Sequence, residues 1–257
     1  MSDPIIDLGL WLEQPAGSYI RAWEQALLDQ LTADIFGFHA LQIGLPQINA
    51  LAANRMPHKW MTDEVEPRKI HQRERSSIVL VHDFAELPFD SQSIDLVVLP
   101  HILEFAAEPH QVLREVERIL IPEGRVIISG FNRSSLWGAR QKTGRITGRY
   151  FLPKEGEFIS AARMKDWLKL LNMEVNQADF GCYAPPYATE KWLNRFAFME
   201  KIGARWWPFL GAVYMVQAIK RVKGMHLIGP ALTRKRLLSG HAVQVANKMK
   251  NQERKNG

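Results

Sequence analysis

Residues 78–131 read IVLVHDFAELPFDSQSIDLVVLPHILEFAAEPHQVLREVERILIPEGRVIISGF. Three apolar runs in this stretch predict buried strands, at Ile78–His82, Asp95–Leu99 and Arg125–Ser129. Between the last two, apolar residues recur at helical spacing from Pro109 to Leu120, and a proline suits the first turn of a helix. Strands that alternate with helices at this spacing predict a parallel sheet with right-handed crossover connections.

The flanking sequence extends the same pattern in both directions. Upstream, His39–Ile43 and a weaker run at His58–Thr62 predict two more strands. Apolar residues at helical spacing between them, from Ile48 to Met56, predict a connecting helix. Downstream, Ser160 is a good N-cap for a further helix, and the last strands are predicted within 173–183 and 212–221. The chain is therefore expected to be an α/β protein.

The charge divides the chain unevenly. Residues 220–257 carry a net charge of +9, whereas the whole chain carries +6. We expect an N-terminal helical segment at 1–37, a main domain at 38–222 and a basic, disordered tail at 223–257. Within the domain, 132–157 and 184–210 are predicted to be cap segments. The tail is a candidate for contact with nucleic acid or an anionic membrane surface.

The remaining composition excludes several classes. The single cysteine, Cys182, cannot form an internal disulfide, and the eight histidines show no metal-ligand spacing, so no metal is predicted. No Gly-Lys-Ser/Thr loop, G-x-S-x-G elbow or G-x-G-x-x-G turn is present, which disfavours nucleotide hydrolysis, hydrolase and NAD chemistry. The start lacks the pattern of a secretory signal, and no apolar run is long enough to span a bilayer. A cytoplasmic location is expected.

Four motifs occur in order within about fifty residues. They are His82-Asp-Phe-Ala-Glu-Leu-Pro-Phe89, Ile94-Asp-Leu-Val-Val98, His101-Ile-Leu-Glu-Phe105 and Glu115-Val-Glu-Arg-Ile-Leu-Ile-Pro-Glu-Gly124. This order and spacing resemble the small-molecule class I S-adenosylmethionine-dependent methyltransferases. The resemblance implies a Rossmann-like, doubly wound, mostly parallel seven-stranded sheet with helices on both faces. It also implies S-adenosyl-L-methionine as the cofactor.

The resemblance implies positions for the cofactor. Asp83 and Phe84 follow a strand's carboxyl end, where open α/β sheets bind ligands, and match the positions that contact adenine. Gly44 and Leu45 match the first loop, and Leu99 and Pro100 lie beside the methionine part of the cofactor. An acid for the ribose hydroxyls is expected about 20 residues after the glycine turn, which points to Asp63 or Glu64. Two exposed acids at the start of a helix are an equally good interpretation of that pair.

The first loop departs from the family pattern. Where the family reads acid-x-Gly-x-Gly-x-Gly, this chain reads Gln42-Ile-Gly-Leu-Pro-Gln47, so only Gly44 remains. Proline lacks an N–H, and Gln42 cannot form the charge-assisted bond to the cofactor's ammonium that a carboxylate forms. The glycine-rich motif is therefore degenerate, and weaker cofactor binding is expected.

These observations leave several functions open. The first hypothesis is methyl transfer to a small-molecule or lipid-like acceptor, with His101 as a weak candidate for a general base. The second is a non-catalytic binding or regulatory protein that retains the fold. The third is an RNA methyltransferase guided by the basic tail. Aromatic residues in the second half, among them Trp137, Trp206 and Trp207, are predicted either to line an acceptor pocket or to form the core of a cap.

Overall fold

The computed structural model describes residues 4–63, 78–81, 84, 86–147, 151–152 and 156–221. Within these residues seven strands form one sheet: β1 His39–Ile43, β2 His58–Asp63, β3 Ile78–Val81, β4 Ile94–Pro100, β5 Leu120–Phe131, β6 Met173–Gly181 and β7 Val213–Lys220. The helices in the same residues are α1 Pro4–Leu12, α2 Pro15–Ala33, α3 Ile102–Phe105, α4 Pro109–Ile119, α5 Leu136–Thr147, α6 Ala161–Leu170, α7 Glu190–Arg195 and α8 Phe198–Trp206. A short 3-10 helix, Pro208–Leu210, follows α8.

The sheet is doubly wound, and its strands lie in the order β3-β2-β1-β4-β5-β7-β6. Strands β1 to β5 are parallel to their neighbours, whereas β7 is antiparallel to both β5 and β6. All the parallel strands therefore end at one edge of the sheet, which we call the carboxyl edge. Because β7 runs the opposite way, β6 ends and β7 begins at this same edge. The predicted fold class is confirmed.

Helices cover both faces of the sheet. The first face is packed by α1, α2 and the segment 44–57, and the second by α4 and α6. Both faces of the sheet are buried, as strand β4 illustrates. Its residues alternate between the two layers, and all five from Leu96 to Pro100 are buried. The first core includes Leu8, Leu12, Ile20, Leu28, Leu45, Ile48, Leu96 and Val98. The second includes Val97, Leu99, Val112, Leu113, Val116, Ile119, Met164 and Leu168.

One prediction about local structure is wrong. Residues 44–57 contain turns and no helix, because Gly44 and Leu45 adopt left-handed backbone angles directly after β1, with φ of 68° and 52°. Ile48 and Met56 are buried as predicted, but they reach the core from an irregular segment. The segment 132–157, predicted to be a cap, contains α5, from which Trp137 enters the first core.

Other expectations fall at the ends of the chain. The predicted N-terminal helical segment is present as α1 and α2. The basic tail at 223–257 lies outside the described residues. Among the residues that the structure describes, no helix has both the length and the apolar character needed to cross a membrane.

Candidate functional site

The first loop leaves β1 at the centre of the carboxyl edge. Gly44 N–H donates to the carbonyl of Thr62 at 2.6 Å, which joins the loop to the end of β2. A β-carbon on Gly44 would lie 2.2 Å from Cδ1 of Ile102 and 3.4 Å from Cζ of Phe84. Glycine is therefore required by both its positive φ and its close neighbours. The structure thus brings the predicted residues Gly44 and Phe84 together.

Gln42 holds this loop from below. Its side chain is fully buried, and its Nε2 donates to the carbonyls of Gly44, Leu45 and Ile48 at 3.1, 3.2 and 2.7 Å. Its Oε1 accepts from the backbone N–H of Ala50 at 2.9 Å. A buried primary amide that bonds four backbone groups satisfies polar atoms which turns would otherwise leave unpaired. Gln42 therefore stabilises the loop as a staple, by bonding its backbone at several points, and its side chain is not directed at a ligand.

The other predicted site residues occupy the same edge where the structure describes them. Leu45, Leu99 and Pro100 are buried at the ends of β1 and β4. Asp63 is the last residue of β2, and its backbone pairs with Val81. The remaining candidates, Asp83 and Glu64, lie outside the described residues, so their assignment stays a prediction.

His101 follows β4 and is completely buried. Its Nδ1 lies 2.9 Å from Oε2 of Glu104 in α3, and its Nε2 lies 2.9 Å from Oε1 of Glu24 in α2. Oε1 of Glu104 also accepts from the backbone N–H of Phe131 at 2.7 Å. An imidazole with a carboxylate at each nitrogen is best served by the protonated form, which donates from both. We refer to Glu24, His101 and Glu104 as the buried triad.

The buried triad has shifted pKa values. Burial alone would lower the pKa of His101, but the charge of Glu24 and the hydrogen bonds from both glutamates outweigh it and raise the pKa to about 10. Burial raises the pKa of Glu104 to about 7, although His101 partly opposes that shift. A histidine that is protonated and bonded on both sides has no lone pair to accept a proton. This geometry argues against the general-base role predicted for His101.

We predict that these shifts make the protein less stable as the pH rises. Glu104 holds its proton to a higher pH in the folded state than its ordinary 4.5, so its contribution is full below pH 4.5 and is lost by about pH 7. The contribution of His101 is full below its ordinary 6.5 and is lost as the pH rises through about 10. Urea unfolding across this range should show a falling free energy of unfolding.

The Glu104→Gln variant provides the control for this prediction. It removes the lower titration, so the fall between pH 4.5 and about 7 should flatten. Glu115, whose pKa is lowered by its hydrogen bond to Arg118, titrates below that window and should not disturb the measurement. A free energy of unfolding that rises with pH through this window in the unchanged protein would contradict the assignment.

A cavity of about 590 Å³ lies at the carboxyl edge beside the buried triad. It is lined by Leu103, Glu104, Phe105, Ala106, Ala107, Pro109, His110, Arg133, Gly138, Gln141, Lys142, Glu157, Phe158, Ile159, Arg163 and Trp167. One wall is aromatic, and the rings of His110 and Trp167 contact each other at a tilt of 49°, with 4.0 Å between their centroids. The guanidinium of Arg163 lies 5.2 Å from the centre of the Trp167 ring. A ligand with both apolar and charged parts fits such a lining.

The sequence is similar to a known domain family and to an uncharacterized bacterial protein. The methyltransferase domain family matches residues 57–128. The uncharacterized protein YafS of Escherichia coli (strain K12) is 31% identical over 170 residues, which are 65% of this chain and 66% of that protein. The chain thus spans just under two thirds of that relative's length. Over residues 57–128 the chain is thus similar to the methyltransferase domain family.

Solved methyltransferases share the fold. A chain from the complex between the Haloferax volcanii Trm112 methyltransferase activator and a methyltransferase superposes with a TM-score of 0.59. It is 19% identical, and the match covers 84% of this chain and 98% of that one. A SAM-dependent methyltransferase from Archaeoglobus fulgidus gives a TM-score of 0.56 at 16% identity, with 78% and 94% covered. At these identities the likeness establishes the architecture of the methyltransferase domain.

The carboxyl edge has a buried polar group that could bind a cofactor such as S-adenosylmethionine. The hydroxyl of Thr62, at the end of β2, is buried and has no hydrogen-bond partner among the described residues. The side-chain position of Gly44 is filled by Ile102 and Phe84, which pack closely against the loop. The chain differs from the family at Gln42, under the loop. Both polar atoms of this side chain form hydrogen bonds with the backbone. Gln42 therefore offers no free polar atom to the ammonium of a cofactor.

The sequence prediction omits two features of this site. Glu24 is absent from the predicted site residues, although it lies between Ile20 and Leu28 on one buried helix face. A lone acid on such a face indicates a buried partner. The cations of the cavity come from α5, α6 and the loop after β5, and their convergence depends on the folding of the cap. No local sequence signal places them together.

Proposed function

We propose that this protein transfers the methyl group of S-adenosylmethionine to a small, lipid-like acceptor bound in the cavity beside Glu104. The cavity is the observation that carries this proposal. It opens at the carboxyl edge, next to the ends of β4 and β5, and about 590 Å³ is within the range of small-ligand sites. Ligands of doubly wound sheets bind at this edge because the connecting loops converge there.

The lining of the cavity indicates the acceptor's chemistry. Phe105, Phe158 and Trp167 offer apolar surface to a ring or acyl chain. The cations Arg133, Lys142 and Arg163 outnumber the acids, and one acid, Glu104, is already bonded to His101. Excess positive charge in a partly enclosed site favours an anionic group on the ligand. We therefore propose an amphiphilic acceptor with a carboxylate or phosphate.

The protein's part in the reaction is positioning. When bound, S-adenosylmethionine supplies an electrophilic methyl group on a sulfonium. Gly44, Leu45, Asp63, Asp83, Phe84, Leu99 and Pro100 are proposed to hold it. The cavity residues would orient the acceptor's nucleophile, and the aromatic wall would exclude water from the reacting atoms. The buried triad supports the wall of the cavity at Glu104, because its hydrogen bonds fix α3 to α2. This role requires no proton transfer.

A binding experiment tests the cofactor site. We expect Asp83→Ala to weaken S-adenosylmethionine binding by about one to two decades, because a carboxylate hydrogen bond contributes roughly 1.5–3 kcal/mol. Asp63→Ala should have a smaller effect. Isothermal titration calorimetry with S-adenosylmethionine and S-adenosylhomocysteine measures both variants. Equal and negligible losses would refute this placement of the site, and no binding to the unchanged protein near millimolar concentration would refute the enzyme proposal.

A second candidate function is a binding protein that has lost turnover. The observation that favours it is the first loop, which Gln42 staples to the backbone and which no helix follows. Binding of S-adenosylhomocysteine as tight as that of S-adenosylmethionine, with no methyl transfer to any anionic amphiphile tested, would favour this candidate. Methyl transfer to such an amphiphile would exclude it.

A further inference from the structure

Helix α8 and the 3-10 helix after it expose a continuous set of large apolar side chains. We call this set the aromatic surface. Its exposed fractions range from 42% to 70%, and its members are Phe198, Ile202, Trp206, Trp207, Phe209 and Leu210. Single exposed apolar residues are ordinary, but a contiguous set that includes two tryptophans and two phenylalanines marks an interaction surface.

The exposure is imposed by the packing of α8. Gly203 lies against Tyr183 so closely that a β-carbon would be 2.3 Å from Cγ of that ring. Glu200, on the same inner side, accepts from the backbone N–H of Tyr183 at 2.8 Å and from the Tyr19 hydroxyl. With this inner face fixed, Phe198, Ile202 and Trp206, at i, i+4 and i+8, must lie on the outer face.

The part of the aromatic surface that follows α8 is also fixed, through hydrogen bonds to its backbone. The carbonyl of Pro208 accepts from the Tyr183 hydroxyl at 2.7 Å. Nδ2 of Asn132 donates to the carbonyls of Phe209 and Gly211 at 2.7 and 2.9 Å. Backbone bonded in this way presents Trp207 and Phe209 outward on a fixed support. A pre-ordered surface loses little conformational entropy when it binds.

Cations border the aromatic surface. Lys201 and Arg205 are exposed on α8, and Lys191 and Arg195 are exposed on α7. The acids of residues 190–210 are Glu190 and Glu200, and Glu200 is engaged on the inner face. Four exposed cations thus outnumber the one exposed acid, Glu190, and the charge beside the aromatic surface is positive. A cationic flank beside exposed tryptophan and phenylalanine is the composition of surfaces that lie in the headgroup region of anionic membranes.

The position of the aromatic surface relates it to the cavity. The segment that carries it connects the end of β6 to the start of β7, and both lie at the carboxyl edge. The cavity opens at this same edge. We propose that the aromatic surface docks this protein onto an anionic lipid bilayer, with the carboxyl edge turned toward the membrane. The proposal stands independently of methyl transfer, because it rests on exposed side chains and their charge.

Vesicle flotation with the full chain tests the proposal. The protein should bind vesicles of phosphatidylglycerol mixed with phosphatidylcholine, and bind pure phosphatidylcholine vesicles less. Trp206→Ala with Trp207→Ala and Phe209→Ala should reduce binding to the mixed vesicles by more than about tenfold, since these side chains supply the buried apolar area. The variant keeps the basic C-terminal residues, so its loss of binding cannot be attributed to them.

A matched control removes aromatic side chains from the opposite edge. Phe36 and Phe38 precede β1, at the amino end of the parallel strands, and are 74% and 68% exposed. The Phe36→Ala, Phe38→Ala variant should bind the mixed vesicles like the unchanged protein. Circular dichroism should show native folding for both variants, because all the altered side chains are exposed. An equal loss in both variants, or no vesicle binding by the unchanged protein, would overturn the proposal.

A spectroscopic readout locates the contact. Brominated acyl chains should quench the tryptophan emission of the unchanged protein on mixed vesicles. The Trp206→Phe, Trp207→Phe variant should still bind but should lose most of that quenching. Unaltered quenching would place the contact elsewhere. Concentration-dependent self-association through these residues without vesicle binding would assign the aromatic surface to a protein partner and refute the bilayer.

Discussion

Replacing His101 with leucine is expected to lower the free energy of unfolding at neutral pH by about 3–5 kcal/mol, the usual cost of removing one partner from a buried ionic cluster. The change leaves Glu24 and Glu104 facing each other with no cation between them. Both glutamates are buried, and Oε2 of Glu24 already lacks a hydrogen-bond partner among the described residues. Since a typical domain is stable by only about 5–15 kcal/mol, much of the protein should unfold under mild conditions.

The pH distinguishes this effect from lost packing. Removing His101 also removes the charge and hydrogen bond that lower the pKa of Glu104, so Glu104 should become protonated as the pH falls from about 7, and the His101→Leu variant should recover part of its stability by pH 4.5. The matched control is His110→Leu, at an exposed histidine of α4, which should change stability by less than about 1 kcal/mol. Urea unfolding of both variants measures the difference. Similar losses for the two, or no recovery in acid, would contradict a charged triad.

Changing Gln42 to glutamate is expected to unfold or severely destabilise the protein, although it restores the residue type of the family's first loop. The side chain donates to three carbonyls. A carboxylate at that place would face three acceptors without a proton to offer and would keep only its bond from the Ala50 N–H. Each buried group left unpaired costs about 1–3 kcal/mol, and a buried unpaired charge costs more.

Gln111→Glu is the control for this change. Gln111 lies in the first turn of α4, where a negative charge is favourable, so the same chemical change should be neutral or slightly stabilising. Thermal unfolding of both variants provides the comparison. If Gln42→Glu folded with unchanged stability and bound S-adenosylmethionine more tightly, the interpretation of Gln42 as a staple would be refuted. The carboxylate would then occupy the position that it has in the family.

The central strands could be predicted because a strand that is buried on both faces appears in the sequence as an apolar run. β4 and β5 appear in the sequence as apolar runs, and the helix between them, which ends at Ile119, has a regular apolar face. Their order together with the methyltransferase motifs predicted the seven-stranded sheet. These features are local, so a single sequence carries them.

The rest depended on contacts between distant residues. The apolar spacing from Ile48 to Met56 is compatible with a helix, but the left-handed Gly44 and Leu45 and the amide of Gln42 impose turns instead. Burial of His101 depends on Glu24, 77 residues earlier. A side chain's partner across that distance is decided by tertiary packing, so the sequence alone could not show that both ring nitrogens are engaged.

The missing helix between β1 and β2 has a consequence for the order in which the molecule comes apart. The layer over that part of the sheet is supplied by α1 and α2, from the start of the chain, and Glu24 fastens it to the edge where ligands bind. Loss of these helices would uncover β1 and strip the first loop of its support. Amide protons of β1 should therefore exchange with solvent together with those of α2, as one cooperative unit. A shortened chain that begins at Phe38 would lack α1 and α2, the helices against which its first loop packs.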